Sequence, residues 1–454
     1  MSDSKLLERF IGKCPIAVLT QVTIRGVMGD EFEQIFEEHR SQQYERTLTF
    51  SAMATAVADV VLRFAENFRQ AYTTHKENLG VSLTSFYNKI NSTELPISEA
   101  LVTRSAERAK ALQDQLGYVP REVLKGYRVF AVDGNHLPES EKRLEPLRML
   151  HDAPLPGTIV ARFDLQRQIF DRAYLLADAH AQESTVLDRV LADLQPGDLL
   201  LADRHYCILG FLHAANAKNV HFLIRQHGRF KGVLVGERRL IGRSSTGMVY
   251  EQTIKTSDDD DALEMRRITV ELDNPTRDGD SVIHLLTNLP ATVCALAIAD
   301  VYRHRWEEET GYYYVTTTLT CELASIGTPQ AALFLFCLAL MAFNIRQVLF
   351  AALYAEHDEA LVNEVSHHAL SVEISRFTDG MLVVLDEEYW SQLLGDSPED
   401  LAHLLRDLSR KIDLQRYLKS RRGPKKKIDK PPRTRPKTHV STAKILKQTT
   451  PKTP

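Results

Sequence analysis

Between Ala331 and Phe343 the sequence reads AALFLFCLALMAF, thirteen residues without one polar side chain. A helix that is apolar all round must be buried on every side, and crossing a bilayer takes roughly 20 residues. The run therefore predicts the central helix of a large core in a cytoplasmic protein with no membrane partner. Met1–Lys5 carries no basic stretch leading into an apolar segment, so no secretion signal is expected. With 454 residues the chain can build two or three compact units around such a helix.

Charge is distributed unevenly. The net charge is −4, yet from Lys419 onward there are nine Lys and four Arg against Asp429 alone, which leaves residues 1–418 with 43 basic and 59 acidic side chains. So acidic a body cannot attract nucleic acid through its mean field; any such surface has to be a local patch plus the basic tail. The five cysteines (Cys14, Cys207, Cys294, Cys321, Cys337) show no CxxC spacing, which argues against a zinc site or a disulfide framework.

Residues 1–115 carry apolar side chains at three- and four-residue spacing and predict a helical domain. In LGVSLTSFYNKINS, Gly80 ends one helix and Ser82 caps a short one with Phe86, Tyr87, Asn88 and Lys89 on its first turns; this suits a DNA-reading unit as well as an ordinary helical hairpin. From Tyr127 the stretches YRVFAVDGNHL, TIVARFDLQRQIF, AYLLADAH and LLLADRHYC, with helical ESTVLDRVLADL between them, predict an α/β unit with a mixed sheet flanked by helices. Strand-like segments at 220–289 predict an inserted antiparallel β region, helices follow to about 410, and the Lys-, Pro- and Thr-rich 419–454 predicts a disordered tail.

Asp133 follows RVFAV and Asp203 follows DLLLA, both at the end of apolar strands. A carboxylate there is costly unless hydrated, hydrogen-bonded or bound to a cation, so two on one sheet form a candidate metal pair, although a strand-end Asp also commonly caps the next turn. A third acid is sought in YRHRWEEE. On one continuous α-helix at about 100° per residue, Arg305 and Glu309 fall near 300° and 340° from Tyr302, with Trp306 at the edge of that face, whereas Glu307 and Glu308 fall near 140° and 240°. Glu309 is thus the predicted acid, Arg305 a phosphate or carboxylate clamp, Tyr302 and Trp306 stacking or packing surfaces, and Glu307 and Glu308 are expected to face solvent or pair with bases. The bland alternative is a core face with an Arg305–Glu309 pair. Three such carboxylates are what two-metal phosphoryl transfer requires. Arg225, Arg229, Lys231, Arg238, Arg239 and Arg243 form a candidate DNA-backbone patch or a solvated hairpin face, and His205 reads as structural.

The order FAVDGNH, LLLADRHYC, LLTNLP, YRHRWEEE resembles the DDE transposases of bacterial insertion sequences, in particular the insertion sequence four family, from about Tyr127 to Phe350. Tyr302, Arg305 and Glu309 match the Tyr, Arg, Glu, Lys signature of that family, whereas Thr316 stands at the Lys position. The resemblance implies an RNase H-like catalytic core at 116–219 and 290–410, interrupted by the 220–289 insertion, with 1–115 binding element ends. It implies Asp133, Asp203 and Glu309 as catalytic and Mg²⁺ ligands (Mn²⁺ can substitute), cut-and-paste transposition of double-stranded DNA by a homodimer, and handling of a DNA hairpin or flipped base by Tyr302, Arg305 and Trp306. Two readings compete with it: a non-catalytic DNA-binding protein derived from a transposase, favoured by Thr316, and a stand-alone metal-dependent nuclease.

Overall fold

The computed structural model describes residues 3–449 except 30, 138–141, 143, 260, 277–278, 324–325, 386, 395–396 and 421–437. The chain opens with helices α1 (Asp3–Lys13), α2 (Pro15–Met28), α3 (Glu31–His39), α4 (Phe50–Val61), α5 (Phe68–Thr74), α6 (Lys76–Leu79), α7 (Leu83–Asn91) and α8 (Leu95–Gln115). Their ends follow the local chemistry. Gly80 closes α6 with a left-handed φ of 61°, and the Ser82 hydroxyl accepts from the Ser85 amide to start α7, as the sequence predicts. Phe86, however, is buried against Phe68 and Tyr72, and the Lys89 amine donates to the Tyr44 carbonyl, so of the predicted DNA-reading side chains these two face the protein.

A mixed sheet of nine strands comes next: β1 (Val129–His136), β3 (Thr158–Asp164), β4 (Ile169–Leu176), β5 (Leu199–Ala202), β6 (His221–Arg225), β7 (Val233–Arg243), β8 (Gly247–Lys255), β9 (Glu264–Leu272) and β10 (Val282–Thr287), in the order β4-β3-β1-β5-β6-β10-β9-β8-β7. Strands β1, β5 and β6 are parallel neighbours, and β3 and β4 run antiparallel beside β1. The segment 220–289 thus contributes β6 to β10 to this same sheet rather than a separate one, with β10 antiparallel to β6.

Strands buried on both faces explain the unbroken apolar runs read in the sequence. Val129, Ala131, Leu199 and Leu201 point into the core shared with the helices, whereas Phe130, Val132, Leu200 and Ala202 point to the opposite side, where α9 (Leu187–Ala192) and α10 (Leu209–Ala217) pack. After the sheet come α11 (Ala295–Arg303), α12 (Trp306–Thr318), α13 (Pro329–Glu356), α14 (Glu359–Asn363), α15 (His367–Val384), α16 (Glu387–Leu394) and α17 (Pro398–Arg410).

The thirteen-residue run lies within α13, which extends over 28 residues; by length and composition it could cross a membrane, but 89% of its most apolar stretch is buried inside the protein. It packs against α8, α17, α2, α4 and β4. Asn344 supplies its buried polar clip: Oδ1 accepts from the Phe170 amide at 3.0 Å, and Nδ2 donates to the Phe170 carbonyl at 2.8 Å and to Ser105 Oγ at 3.1 Å, so the buried amide is satisfied at both ends.

The predicted disordered tail is ordered in part. Residues 421–437 lie outside the described residues, but β11 (His439–Ser441) pairs in parallel with β2 (Ala153–Leu155), and α18 (Thr442–Thr449) follows with Lys444 3.2 Å from Asp178. Val440 and Ile445 give this short stretch the apolar anchors that its Lys- and Pro-rich surroundings lack.

Candidate active site

Parallel pairing fixes the first two acids. Val132 of β1 lies beside Ala202 of β5, which places Asp133 next to the end of β5, where Asp203 follows. Asp133 Oδ1 accepts from the Gly134 amide at 3.0 Å, and Asp203 Oδ1 accepts from the Arg204 amide at 2.6 Å at the start of a 3₁₀ turn. Both acids thus have local caps, and both keep a second oxygen turned elsewhere.

The facing of the glutamates departs from the sequence reading because the helix is not continuous. At its joint, α11 passes into α12 through three-residue hydrogen bonds: His304 N to Val301 O, Arg305 N to Tyr302 O, Glu307 N to His304 O and Glu308 N to Arg305 O. A 3₁₀ step turns about 120° rather than 100°. Four such steps rotate the subsequent residues by about 80°, bringing Glu308 from about 240° to about 320° and carrying Glu309 round to about 60°.

Glu308, expected at the surface, is accordingly fully buried, while the Glu309 side chain remains 38% exposed. Glu308 Oε1 accepts from the Asp133 amide at 3.2 Å, and its Oε2 is buried with no partner among the described residues. Burial, reinforced by the Asp133 charge, pushes the Glu308 carboxyl well above the usual range and so favours its neutral form.

Arg305 joins the remaining groups. Only 8% exposed, it donates from Nη1 to Asp133 Oδ2 at 3.1 Å and from Nη2 to Glu309 Oε1 at 2.9 Å. Asp133 is nevertheless pushed up to about 6, chiefly by burial and further by Glu183 and Glu309, with Arg305 opposing. Glu183 is the residue that sequence reasoning missed. It starts a 3₁₀ turn (Glu183–Val186), and its carboxylate occupies the space that a Cβ on Gly134 would need. The signal was Gly134 itself, since a glycine inside a strand marks a close approach.

Gly311 serves the same end in α12: a Cβ there would come 2.9 Å from Phe170 Cζ, so glycine lets the helix settle onto β4 and press its acidic end against β1. Tyr312 locks this arrangement, its hydroxyl donating to the Asp133 carbonyl and accepting from the Ala161 amide, each at 3.2 Å.

The predicted common face of Tyr302, Arg305 and Trp306 is divided. Tyr302 is 7% exposed, with its hydroxyl 3.4 Å from the Ala202 carbonyl, and so packs beneath the sheet end, whereas Trp306 is 56% exposed with the Arg305 guanidinium 5.6 Å from its ring. Thr316 lies within α12, which runs on to Thr318 although β-branched residues favour helix weakly; its hydroxyl turns back to the Tyr312 carbonyl. His205 is exposed, 3.9 Å from Asp203.

In the basic patch, neighbouring strands supply acids that a linear reading could not see. Arg225 pairs with Asp280, Arg238 with Glu271, Arg239 with Glu251 and Arg243 with Asp273, while Arg229 and Lys231 are exposed without a carboxylate partner among the described residues.

Could these groups hold a divalent cation? Every donor is an oxygen, which suits Mg²⁺ or Mn²⁺. Asp133, Asp203 and Glu309 all act on the Arg305 guanidinium, Glu183 and Glu308 lie close to Asp133, one carboxyl is raised toward 6, and Glu308 Oε2 is an orphaned buried oxygen. The chemistry of the set therefore fits an added cation. The positions are looser: among the described residues the trio with ligand atoms all within 4.8 Å of one another is Glu33, Glu37 and Glu45, an exposed acidic group in and after α3, not Asp133, Asp203 and Glu309.

Residues 160–345 match the family model described as the transposase DDE domain. That match supports a DDE transposase. It spans Asp203, Arg305 and Glu309 and begins after Asp133. No curated protein sequence matches the chain. Among solved structures, a piggyBac transposase synaptic complex with hairpin DNA, seen by cryo-electron microscopy, is 8% identical and overlaps 83% of this chain and 82% of its own with a TM-score of 0.42. So distant a likeness carries none of the functional reading.

Proposed function

We propose that the chain is a DNA transposase that cuts element ends and joins them to target DNA, with Asp133, Asp203 and Glu309 as its catalytic carboxylates on an RNase H-like core. The observation that carries this reading is the docking of the α11–α12 joint over β1 at Asp133, where Arg305 ties Asp133 to Glu309 beside Asp203. Of the two candidate glutamates, Glu309 is the one a substrate can reach; Glu308 lies beneath it and fixes the Asp133 backbone.

Asp133, Asp203 and Glu309 would hold Mg²⁺, which when bound lowers the pKa of a water or a 3′ hydroxyl and offsets charge at the scissile phosphate. Arg305 orients two of these carboxylates, and its own charge is secured because Tyr302, Asp133, Glu309 and Asp203 outweigh the penalty of burial. Neutral Glu308 braces the Asp133 amide without adding a further negative charge to the site. The exposed Trp306 ring offers a stacking surface for a displaced base, and Arg229 and Lys231 are cations free to meet the DNA backbone. Pairing of two element ends calls for a dimer.

The test uses DNA carrying the inverted repeats that flank the reading frame, with Mg²⁺ or EDTA. Mg²⁺-dependent cuts at the repeat boundary are expected, lost in Glu309→Gln with end binding retained; cutting by that variant would remove Glu309 from the site. A specific observation favours the competing reading, a transposase-derived DNA-binding protein: the Thr316 hydroxyl bonds inward and offers no cation for DNA phosphate. End binding without cuts under every condition would establish it.

A further inference from the structure

Away from the acidic cluster, a cavity of about 430 Å³ opens between α2, the end of α4, the last turns of α12, α13 and α15. Its size falls in the ~300–1,000 Å³ range of small-molecule sites. Among the described residues its lining holds Arg63, Arg346, Arg376, His367 and His368 and no Asp or Glu, in a body whose first 418 residues carry a large excess of acid.

Arg346 is the centre of this anomaly. Its guanidinium lies 4.4 Å from the Tyr314 ring centroid and 4.3 Å from that of Phe350, and Nη2 meets the His367 ring nitrogens at 2.6 and 3.0 Å. Burial, with Arg346 beside it, pushes His367 down to about 3, so the imidazole is a neutral acceptor and returns no charge. No carboxylate reaches Arg346 among the described residues. Other interior arginines show the contrast: Arg162 grips Asp171 at 2.8 Å, and Arg305 grips Asp133 and Glu309. An inward-facing cation held by aromatic rings, the Tyr314 hydroxyl and a neutral imidazole, all of them uncharged, is costly unless an anion completes it.

We propose that this cavity binds the phosphate group of a nucleotide, with Arg346 as the phosphate ligand. A guanidinium presents paired donors that match phosphate oxygens, and Arg63 and Arg376 at the rim add attraction. The aromatic walls, Phe64, Tyr314 and Phe350, give the base a surface to lie against, which inorganic phosphate would leave unused. The nucleotide can come from a DNA strand terminus or from the free pool; phosphate recognition is common to both. The site shares no residue with the acidic cluster and needs no metal, so it stands or falls apart from the cutting reaction.

The test is calorimetric titration of the full chain in EDTA with deoxyadenosine monophosphate, deoxyadenosine and inorganic phosphate. The monophosphate is expected to bind one per chain, at least tenfold more tightly than either fragment. Arg346→Gln should weaken it tenfold or more, and so should Ser375→Trp, which fills the cavity and leaves the guanidinium in place; if the first variant fails to fold, the second decides. Displacement by a 5′-phosphorylated oligonucleotide, and not by its unphosphorylated twin, would identify a strand terminus as the source, and its failure a free nucleotide. Absence of monophosphate binding, or binding that both folded variants retain, would overturn the assignment; phosphate binding as tightly as the nucleotide would overturn the role of the aromatic walls.

Discussion

Replacing Asp133 by Asn should make the protein more stable at pH 8 while abolishing cleavage. The Asp133 carboxyl, 23% exposed, is pushed up from 3.8 to about 6 in the fold. A group raised in the folded state stabilises fully below its unfolded pKa and loses that contribution as pH rises through the folded value; here the window runs from about pH 4 to 6. Above it the ionised carboxylate costs about 3 kcal/mol, at ~1.36 kcal/mol per unit. Asn removes that cost but cannot satisfy both the Gly134 amide and Arg305, losing about 1 kcal/mol for one hydrogen bond. The net gain is about 2 kcal/mol at pH 8. At pH 5 the penalty is only about half developed, so the gain shrinks by about 1.5 kcal/mol. Urea unfolding of wild type and Asp133→Asn at both pH values, in EDTA, measures the difference. A variant no more stable than wild type at pH 8, or a difference independent of pH, would refute the claim that burial strains this carboxylate.

Two further substitutions probe its neighbours. Burial favours the neutral form of Glu308, so Glu308→Gln should change stability at pH 7 by less than about 1 kcal/mol, whereas Glu308→Ala should cost ~2–5 kcal/mol by leaving a cavity and an unpaired Asp133 amide; equal losses in urea unfolding would contradict a neutral Glu308. Gly134→Ala should cost ~1–3 kcal/mol by displacing Glu183, and Glu183→Ala should recover most of it, so a double-mutant cycle with no coupling energy would separate the two residues.

Much of the fold is legible where one physical requirement acts alone. The apolar run of α13, the buried strand that ends before Asp203, and the Gly80 and Ser82 helix boundaries each arise from burial, period or capping, whereas Asp133, expected at a strand end, lies inside β1, which runs on to His136 because β3 pairs with it that far. The features that escape a linear reading depend on partners distant in sequence. The arginines of the β region look unopposed because their acids, Asp280, Glu271, Glu251 and Asp273, arrive only when the strands pair. Glu183 escapes for the same reason: nothing in QESTV announces a carboxylate, and only the tertiary fold sets it over Gly134.

The glutamate triplet shows how little local geometry separates two site assignments. Three adjacent acids on an α-helix sample directions about 100° apart, so an over-rotation of about 80° at His304 to Glu307 exchanges which of them faces the core. The cause is the packing: Tyr302 is anchored beneath Ala202 and Tyr312 beneath Asp133, and the short span between these anchors tightens to meet both. The same tightening places Arg305 where it reaches Asp133 and Glu309 together. A buried Glu308 and a reachable Glu309 are therefore one consequence of one joint. Charge reinforces the division: ionising Glu308 would add an anion beside Asp133 with no hydrogen-bond partner for Oε2 among the described residues, which disfavours the charged form of the inner acid, whereas the outer acid pairs with Arg305 at the half-exposed edge.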